Sequence, residues 1–271
     1  MIEIFKVILF GIIEGITEWL PISSTGHMIL FDKFVKLNVR TEFWEVFLVV
    51  IQLGAILAVV ILYWNKLFPF TIKNGIHIDK EKFSMWFKIA FASIPAGVIG
   101  ILWADEFEKI FYNYFSVSLA LIVFGILFII VENHKKGRLS NINKISQITY
   151  KAAFIIGCFQ TIAAVFPGTS RSGSTIIGAL LIGISRNTAA EFSFFLAIPA
   201  MFGGSLIKIL KMGITFTAQE WILLSIGSIV SFMVSAVVIK LLMSYIRKHD
   251  FKVFGWYRIA LGIIVILYFM I

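Results

Sequence analysis

Residues 11–33 read GIIEGITEWLPISSTGHMILFDK, and the interruption in this stretch decides the fold. Glu14 and Glu18 stand four apart in an otherwise apolar helical run, so both carboxylates look toward one place. Pro21 breaks the run, and Ser23-Ser24-Thr25-Gly26-His27 opens a second apolar helix. The chain returns to the two carboxylates with hydroxyls, an imidazole and the free N–H groups of a new helix start. Carboxylates in apolar surroundings are costly, which marks the stretch as one half of a functional site.

The other half is a second copy. Residues 157–183, GCFQTIAAVFPGTSRSGSTIIGALLIG, repeat the plan at an offset of 146 (157 − 11). That offset pairs Glu14 with Gln160, Pro21 with Pro167, Ser24 with Ser170 and Glu45 with Glu191, and it needs no gap. Internal duplication of this kind is the signature of a repeat architecture. The second copy contributes Arg171, in Thr169-Ser170-Arg171-Ser172-Gly173-Ser174, directly before an apolar helix.

The segments EGITEWLPISSTGH and PGTSRSGST resemble the two signature motifs of the undecaprenyl-diphosphate phosphatase family, the bacitracin-resistance membrane phosphatases. The resemblance covers essentially the whole chain. It implies a multi-pass enzyme of the bacterial cell membrane that removes the terminal phosphate of a C55 polyprenyl diphosphate. It also implies dependence on a divalent cation and a site open to the outer face.

Composition places the chain in the membrane independently. Of 271 residues 59% are hydrophobic and 14% charged, and mean hydropathy is +0.95. A soluble domain carries about a quarter of its residues as charges. The net charge of +9 does not require nucleic acid, because the basic residues fall in inter-helix loops where topology accounts for them. No basic region followed by a small-residue cleavage site is present at the N-terminus, so no removable signal peptide is expected. Cys158 is the only cysteine, which excludes an internal disulfide and offers no thiolate or zinc site.

Six spans are expected: Trp44–Trp64, Phe83–Trp103, Tyr114–Val131, Arg186–Ile209, Gln219–Met243 and Phe254–Ile271. His27–Val35 is too short to cross, so Ile2–Leu20 with His27–Val35 reads as a re-entrant hairpin, and Tyr150–Phe166 with Arg171–Ile184 as a second one. The fold class is therefore an all-α polytopic membrane protein, one domain over 1–271. It is built as an inverted-topology repeat, 1–132 and 150–271, with three spans and one hairpin per half. An odd number of spans inverts the second half, so the two broken tips can meet at mid-membrane. Lys66, Lys73, Lys80 and Lys82, then Lys135, Lys136, Arg138 and Lys144, then Arg247, Lys248 and Lys252 mark the cytoplasmic loops. The alternate loops carry Asp105, Glu106 and Glu108 beside Lys109, then Lys211. Both termini are expected outside, with Lys33, Lys36 and Arg40 weighing against this orientation.

The residues also indicate chemistry. Arg171 at a helix start, among Ser170, Ser172 and Gly173 and facing Ser23, Thr25 and Gly26, suits phosphate, since its planar fork grips two oxygens. A helix cap with an interfacial arginine is the plainer reading of the same residues. Glu14 and Glu18 would repel a diphosphate unless Mg²⁺ or Ca²⁺ lies between, or unless one acts as a base. Structural pairing of a carboxylate with Arg171 is compatible with either role. His27, three residues past Ser24, allows a Ser–His or His–Glu partnership. Three attackers stay open: Ser24 Oγ, His27 or water. Ser24 is favoured, with Glu18 as base and His27 as proton donor. Glu45 and Glu191 read as structural, paired to a loop or a helix start, and Gly11 with Gly15 as a close-packing pair. The expected partners are a polyprenyl diphosphate and membrane lipids, with no nucleic acid and with a homodimer kept open. The rival from another class is a secondary transporter or lipid-carrier flippase, which an inverted repeat with broken helices suits equally well. A purely structural subunit gives no reason for the intramembrane ionisable groups.

Overall fold

The computed structural model describes residues 1–71, 77–213 and 215–270. Lys73 and Ile271, which entered the topology and span expectations, lie outside the described residues. Six helices are long and apolar enough to cross a membrane. They are α3 (Thr41–Leu62), α5 (Lys80–Phe111), α6 (Tyr114–Lys135), α9 (Arg186–Met212), α10 (Ala218–Tyr245) and α11 (Lys252–Met270). Helix α4 (Trp64–Leu67) is a single turn, and Phe70–Thr71 pairs with His77–Ile78 as the one small strand pair among the described residues. The chain is an all-α polytopic membrane protein.

The two interrupted segments fold as helix pairs of matched length. Helices α1 (Ile2–Thr17) and α7 (Tyr150–Val165) have 16 residues each, and α2 (Ser24–Phe34) and α8 (Arg171–Leu181) have 11 each. At 1.5 Å per residue these arms reach about 24 and 16 Å, short of a hydrocarbon core of about 30 Å. Helix α2 begins at Ser24 rather than at His27 as expected, which draws Ser24, Thr25, Gly26 and His27 into its first turn. Its cap is Ser23, at φ 74°, whose Oγ accepts from the Gly26 N–H at 3.3 Å.

Ser170 caps α8 in the same way, at φ 67°, accepting from the Gly173 N–H at 3.1 Å. This corrects the repeat register. The prolines keep the offset of 146, but the caps pair Ser23 with Ser170, an offset of 147 (170 − 23). Ser24 is therefore equivalent to Arg171, and a gap is needed after all. The extra residue in the second loop accompanies Gly168, at φ +95°, where a Cβ would stand 2.6 Å from the Val117 carbonyl. Only glycine accepts both the left-handed backbone and that approach.

Helix packing fits a repeat. Helix α1 packs on α10 as its counterpart α7 packs on α5, and the equivalent pairs α3 with α9 and α6 with α11 pack on each other. A Cβ on Gly11 would meet the Gly227 carbonyl at 2.8 Å and one on Gly15 would meet Val234 Cβ at 2.7 Å, so this small-residue pair sets the α1–α10 approach. Glu45 pairs with Lys208 at 2.7 Å and Glu191 with Lys66 at 2.8 Å, which bears out the structural reading of both carboxylates. Buried Glu132 of α6 pairs with Arg186 and accepts from the Phe251 N–H at 3.1 Å, tying α6, α9 and α11 together at one end.

Helix α5 differs most from expectation. It runs 32 residues, about 48 Å, so Asp105, Glu106, Glu108 and Lys109 lie on a helix projecting past the membrane rather than in a loop. At its other end the partly buried Asp79 side chain accepts from the Glu81 and Lys82 N–H groups. These backbone donors, that of Lys82 foremost, hold its carboxyl below the usual range.

Candidate active site

Both broken hairpins end on one carboxylate. Glu18 sits one turn past Glu14, its N–H bonded to the Glu14 carbonyl at 3.0 Å, and is buried. Its Oε2 accepts from Ser24 Oγ at 2.8 Å, and its Oε1 accepts from Arg171 Nη2 at 3.0 Å. Ser24 and Arg171 are the first helical residues of α2 and α8, each directly behind its serine cap. Ser172 Oγ closes the junction by donating to the Glu18 carbonyl at 3.2 Å. Residues 153 apart thus meet in a single ion pair.

Arg171 is held from two further directions. Nη1 donates to the Ser193 carbonyl at 2.9 Å, and the guanidinium lies 5.8 Å over the Trp19 ring. Ser193 Oγ is in turn bonded to Thr175 Oγ1 at 2.7 Å. Arg171 Nε is buried without a partner among the described residues, which leaves a donor for an anion. The N–H groups of Ser24 and Thr25, and of Arg171 and Ser172, likewise have no backbone partner among the described residues. Two helix starts with free donors and partial positive charge face one site.

The hydroxyls are less available than the sequence suggested. Ser23 and Ser170 spend their side chains capping their own helices. Ser172 is taken by Glu18 and Ser170, and Ser174 donates to the Phe159 carbonyl at 2.6 Å. Gly26 and Gly173 are buried, with Leu121 and Arg258 against them, and serve close packing in the first turns. Of the expected substrate contacts, Arg171, the backbone of the two first turns and Thr25 remain free to serve.

His27 also departs from expectation, because it meets neither Ser24 nor Glu18. Its Nδ1 lies 2.7 Å from the Ser23 carbonyl and its Nε2 lies 2.7 Å from the Tyr257 hydroxyl, with the two rings stacked at 5.6 Å. A carbonyl only accepts, so Nδ1 carries the proton and Tyr257 donates to Nε2. The imidazole is committed on both sides. Tyr257, Arg258, Trp19 and Ser193 are the residues that sequence reasoning missed. Only Arg258, a cation inside an apolar span, left a signal.

Glu14 is buried, and its Oε1 has no hydrogen-bond partner among the described residues. Its repeat counterpart Gln160 is buried too, with an unpartnered Oε1. Among the described residues no cluster of three or more His, Cys, Asp or Glu side chains could hold a metal. The donor set available to a cation is therefore Glu14, with one oxygen free, and Glu18.

The family model described as bacitracin resistance protein BacA matches residues 7–264. The chain belongs to the BacA family. An undecaprenyl-diphosphatase of Desulfitobacterium hafniense is 63% identical over 269 residues, covering 99% of this chain and 97% of the relative. Undecaprenyl-diphosphatase 1 of Clostridium acetobutylicum is 60% identical over 270 residues, covering 100% of this chain and 98% of the relative. An Enterococcus faecalis undecaprenyl-diphosphatase is 57% identical over 268 residues, covering 98% of this chain and 97% of the relative. All three relatives are covered over 97–98% of their own length.

Proposed function

We infer that this chain is a multi-pass phosphatase of the bacterial inner membrane. It hydrolyses undecaprenyl diphosphate to undecaprenyl phosphate and inorganic phosphate, recycling the lipid carrier of cell-wall synthesis. Beside the full-length family match, the observation that supports this reading is the Ser24–Glu18–Arg171 contact. A hydroxyl, a base and a phosphate-binding cation stand together at the junction of two buried helix starts. A transporter of the same fold needs an anion site but no hydroxyl on a carboxylate. Release of inorganic phosphate from farnesyl diphosphate by the purified protein in detergent is the test, and no release overturns the reading.

The geometry supports a double-displacement route. Glu18 Oε2 takes the Ser24 proton, and Ser24 Oγ attacks the terminal phosphorus in line while the bridging P–O bond breaks. Undecaprenyl phosphate leaves with the bonding electron pair, as a dianion that needs no proton to depart. Once Glu18 has passed the Ser24 proton to solvent, it deprotonates a water that attacks the phosphoserine phosphorus, and Ser24 Oγ leaves with the bonding pair and takes the proton back from Glu18. Arg171 exchanges part of its contact with Glu18 for the transferring phosphoryl group, assisted by Nε and by the free first-turn N–H groups. His27 holds the Ser23 carbonyl and so the cap in front of Ser24, acting by position in place of the proton-donor role expected of it.

A divalent cation fits this donor set. Glu14 and Glu18 would hold it as hard oxygen ligands, with substrate phosphates and water completing the shell. Its chemistry would be charge neutralisation between the carboxylates and the diphosphate. A homodimer remains part of the same proposal, to be read from the mass of the detergent-solubilised protein.

The inverted repeat has the hairpins enter from opposite faces, and the loop charges place both termini outside. Arg40, which weighs against this, is held by Glu220 through Nε at 3.0 Å and Nη2 at 2.9 Å, so its charge is locally matched. Cysteines placed at residues 38 and 139 in a Cys158→Ser background should differ in labelling by a membrane-impermeant maleimide. Labelling at 38 alone in intact cells agrees, and labelling at 139 reverses the assignment.

A further inference from the structure

Arg258 is a full cation buried in α11, 0% exposed, with no carboxylate partner among the described residues. Its guanidinium donates only to backbone carbonyls. Nη1 reaches Pro21 at 3.2 Å, Nη2 reaches Gly168 at 3.0 Å and Ala120 at 3.4 Å, and Nε reaches Leu121 at 3.4 Å. The plain reading is a cation that mends the α6–α11 seam, and the Leu121 and Ala120 bonds suit it. The two shorter bonds do not. Pro21 and Gly168 lie in the two loops where α1 and α7 break, 237 and 90 residues away, and those loops carry the site.

We propose that Arg258 is the positioning residue that sets the separation of the two hairpin loops and thereby brings Arg171 onto Glu18. One rigid planar fork spans both carbonyls at once, which a lysine, with a single nitrogen on a flexible stem, does not do. The group also touches the second helix start directly, because a Cβ on Gly173 would stand 3.0 Å from Arg258 Nη1. Gly173 is two residues from Arg171, so a shift of the guanidinium moves the first turn that carries the phosphate clamp. Phe124, its ring centroid 5.8 Å from the guanidinium carbon, holds the fork from one side.

The readout rests on the phosphatase reading, and the wild type separates the two. Absence of phosphate release by wild-type protein defeats that reading, whereas the variants address Arg258 alone. For Arg258→Lys, kcat should fall roughly 10- to 100-fold while KM for the lipid diphosphate stays within about threefold, as for an ångström-scale misplacement. If the effect passes through Arg171, then adding Arg258→Lys to Arg171→Ala should cost less than about threefold more, since coupled residues are not additive. Independent multiplication of the two losses overturns the proposal, as does kcat within twofold of wild type. A loss that vanishes when both proteins are assayed equally far below their own Tm also overturns it. Phe124→Leu covers the case in which Arg258→Lys does not elute as a monodisperse species. It keeps the charge and loosens the fork, and kcat should fall about three- to tenfold. Wild-type kcat in that variant overturns the assignment.

Discussion

The two hairpin loops share a backbone and divide the chemistry. Each first helix ends ahead of a proline, and each loop caps its second helix with a serine at positive φ and buries a glycine at the third helical residue. The first loop brings Glu18 and Ser24, the second brings Arg171, and the first helical residues of α2 and α8 bind opposite oxygens of one carboxylate. The surroundings differ as well. All residues from Ser172 to Leu180 of α8 are buried, whereas α2 buries only Gly26 and Met28. Duplication thus supplies two helix starts with free N–H donors, and divergence makes one a packed cation mount and the other the acid–hydroxyl arm. The same backbone device serves both arms because the residue behind the cap, not the cap, meets the Glu18 carboxylate.

The comparison breaks first at Ser24. If the accessible arm supplies the attacker, Ser24→Ala should lower kcat on the order of 10⁴-fold, as loss of a nucleophile does. Wild-type enzyme quenched with terminally labelled substrate should then carry acid-stable label on Ser24. Acid-labile label on His27, or none at any time, moves the attack to imidazole or water.

Arg171 tests the packed arm. Arg171→Lys should lose kcat/KM by about 100-fold, nearly as much as Arg171→Ala, because a point charge replaces neither the parallel donors nor the Trp19 stacking. A lysine variant close to wild type would reduce the second loop to a source of charge.

Glu14 sharpens the division, since a cation held by its free oxygen would lie on the acid arm. Glu14→Gln should raise the Mg²⁺ or Ca²⁺ concentration for half activity on the order of tenfold. An unchanged metal requirement with reduced turnover assigns Glu14 to orientation of Glu18. A metal requirement that moves with Gln160→Glu as well would extend the cation site into the second repeat.

The smallest effect concerns what the loops share. Ser23→Ala and Ser170→Ala should each lower unfolding stability by about 1 kcal/mol through loss of the cap. The glycine variants should lose less, because glycine accepts the positive φ. Unequal losses would show that the two caps, alike in geometry, are loaded differently by α2 and α8.

Much of this was legible in the residues because it is local. Apolar runs of 20 or so residues define spans, and all six appear as helices. Prolines at 21 and 167 define the breaks, and Glu14 and Glu18 share a face wherever the helix goes. The repeat register was read one residue off. The sequence offset is anchored by prolines, whereas the structural one is anchored by caps, and Gly168 absorbs the difference at a backbone angle that no periodicity reveals.

The sequence alone determined that this chain lies in a membrane as helices, that two of its segments break there, and which charged groups sit at the breaks. Hydropathy, helical period and proline geometry are properties of neighbours in the chain, and they need no fold to act. Only the tertiary structure decided which groups meet. Of the two carboxylates Arg171 found Glu18, and His27 turned from Ser24 to Tyr257. Ser172 went to a carbonyl, and Arg258 closed on Pro21 and Gly168. Each of these is a hydrogen bond made across two helices whose approach is set by packing. In a medium without water, every buried donor takes the acceptor that packing brings within reach. Spacing along the chain cannot name that acceptor, because it belongs to another part of the molecule.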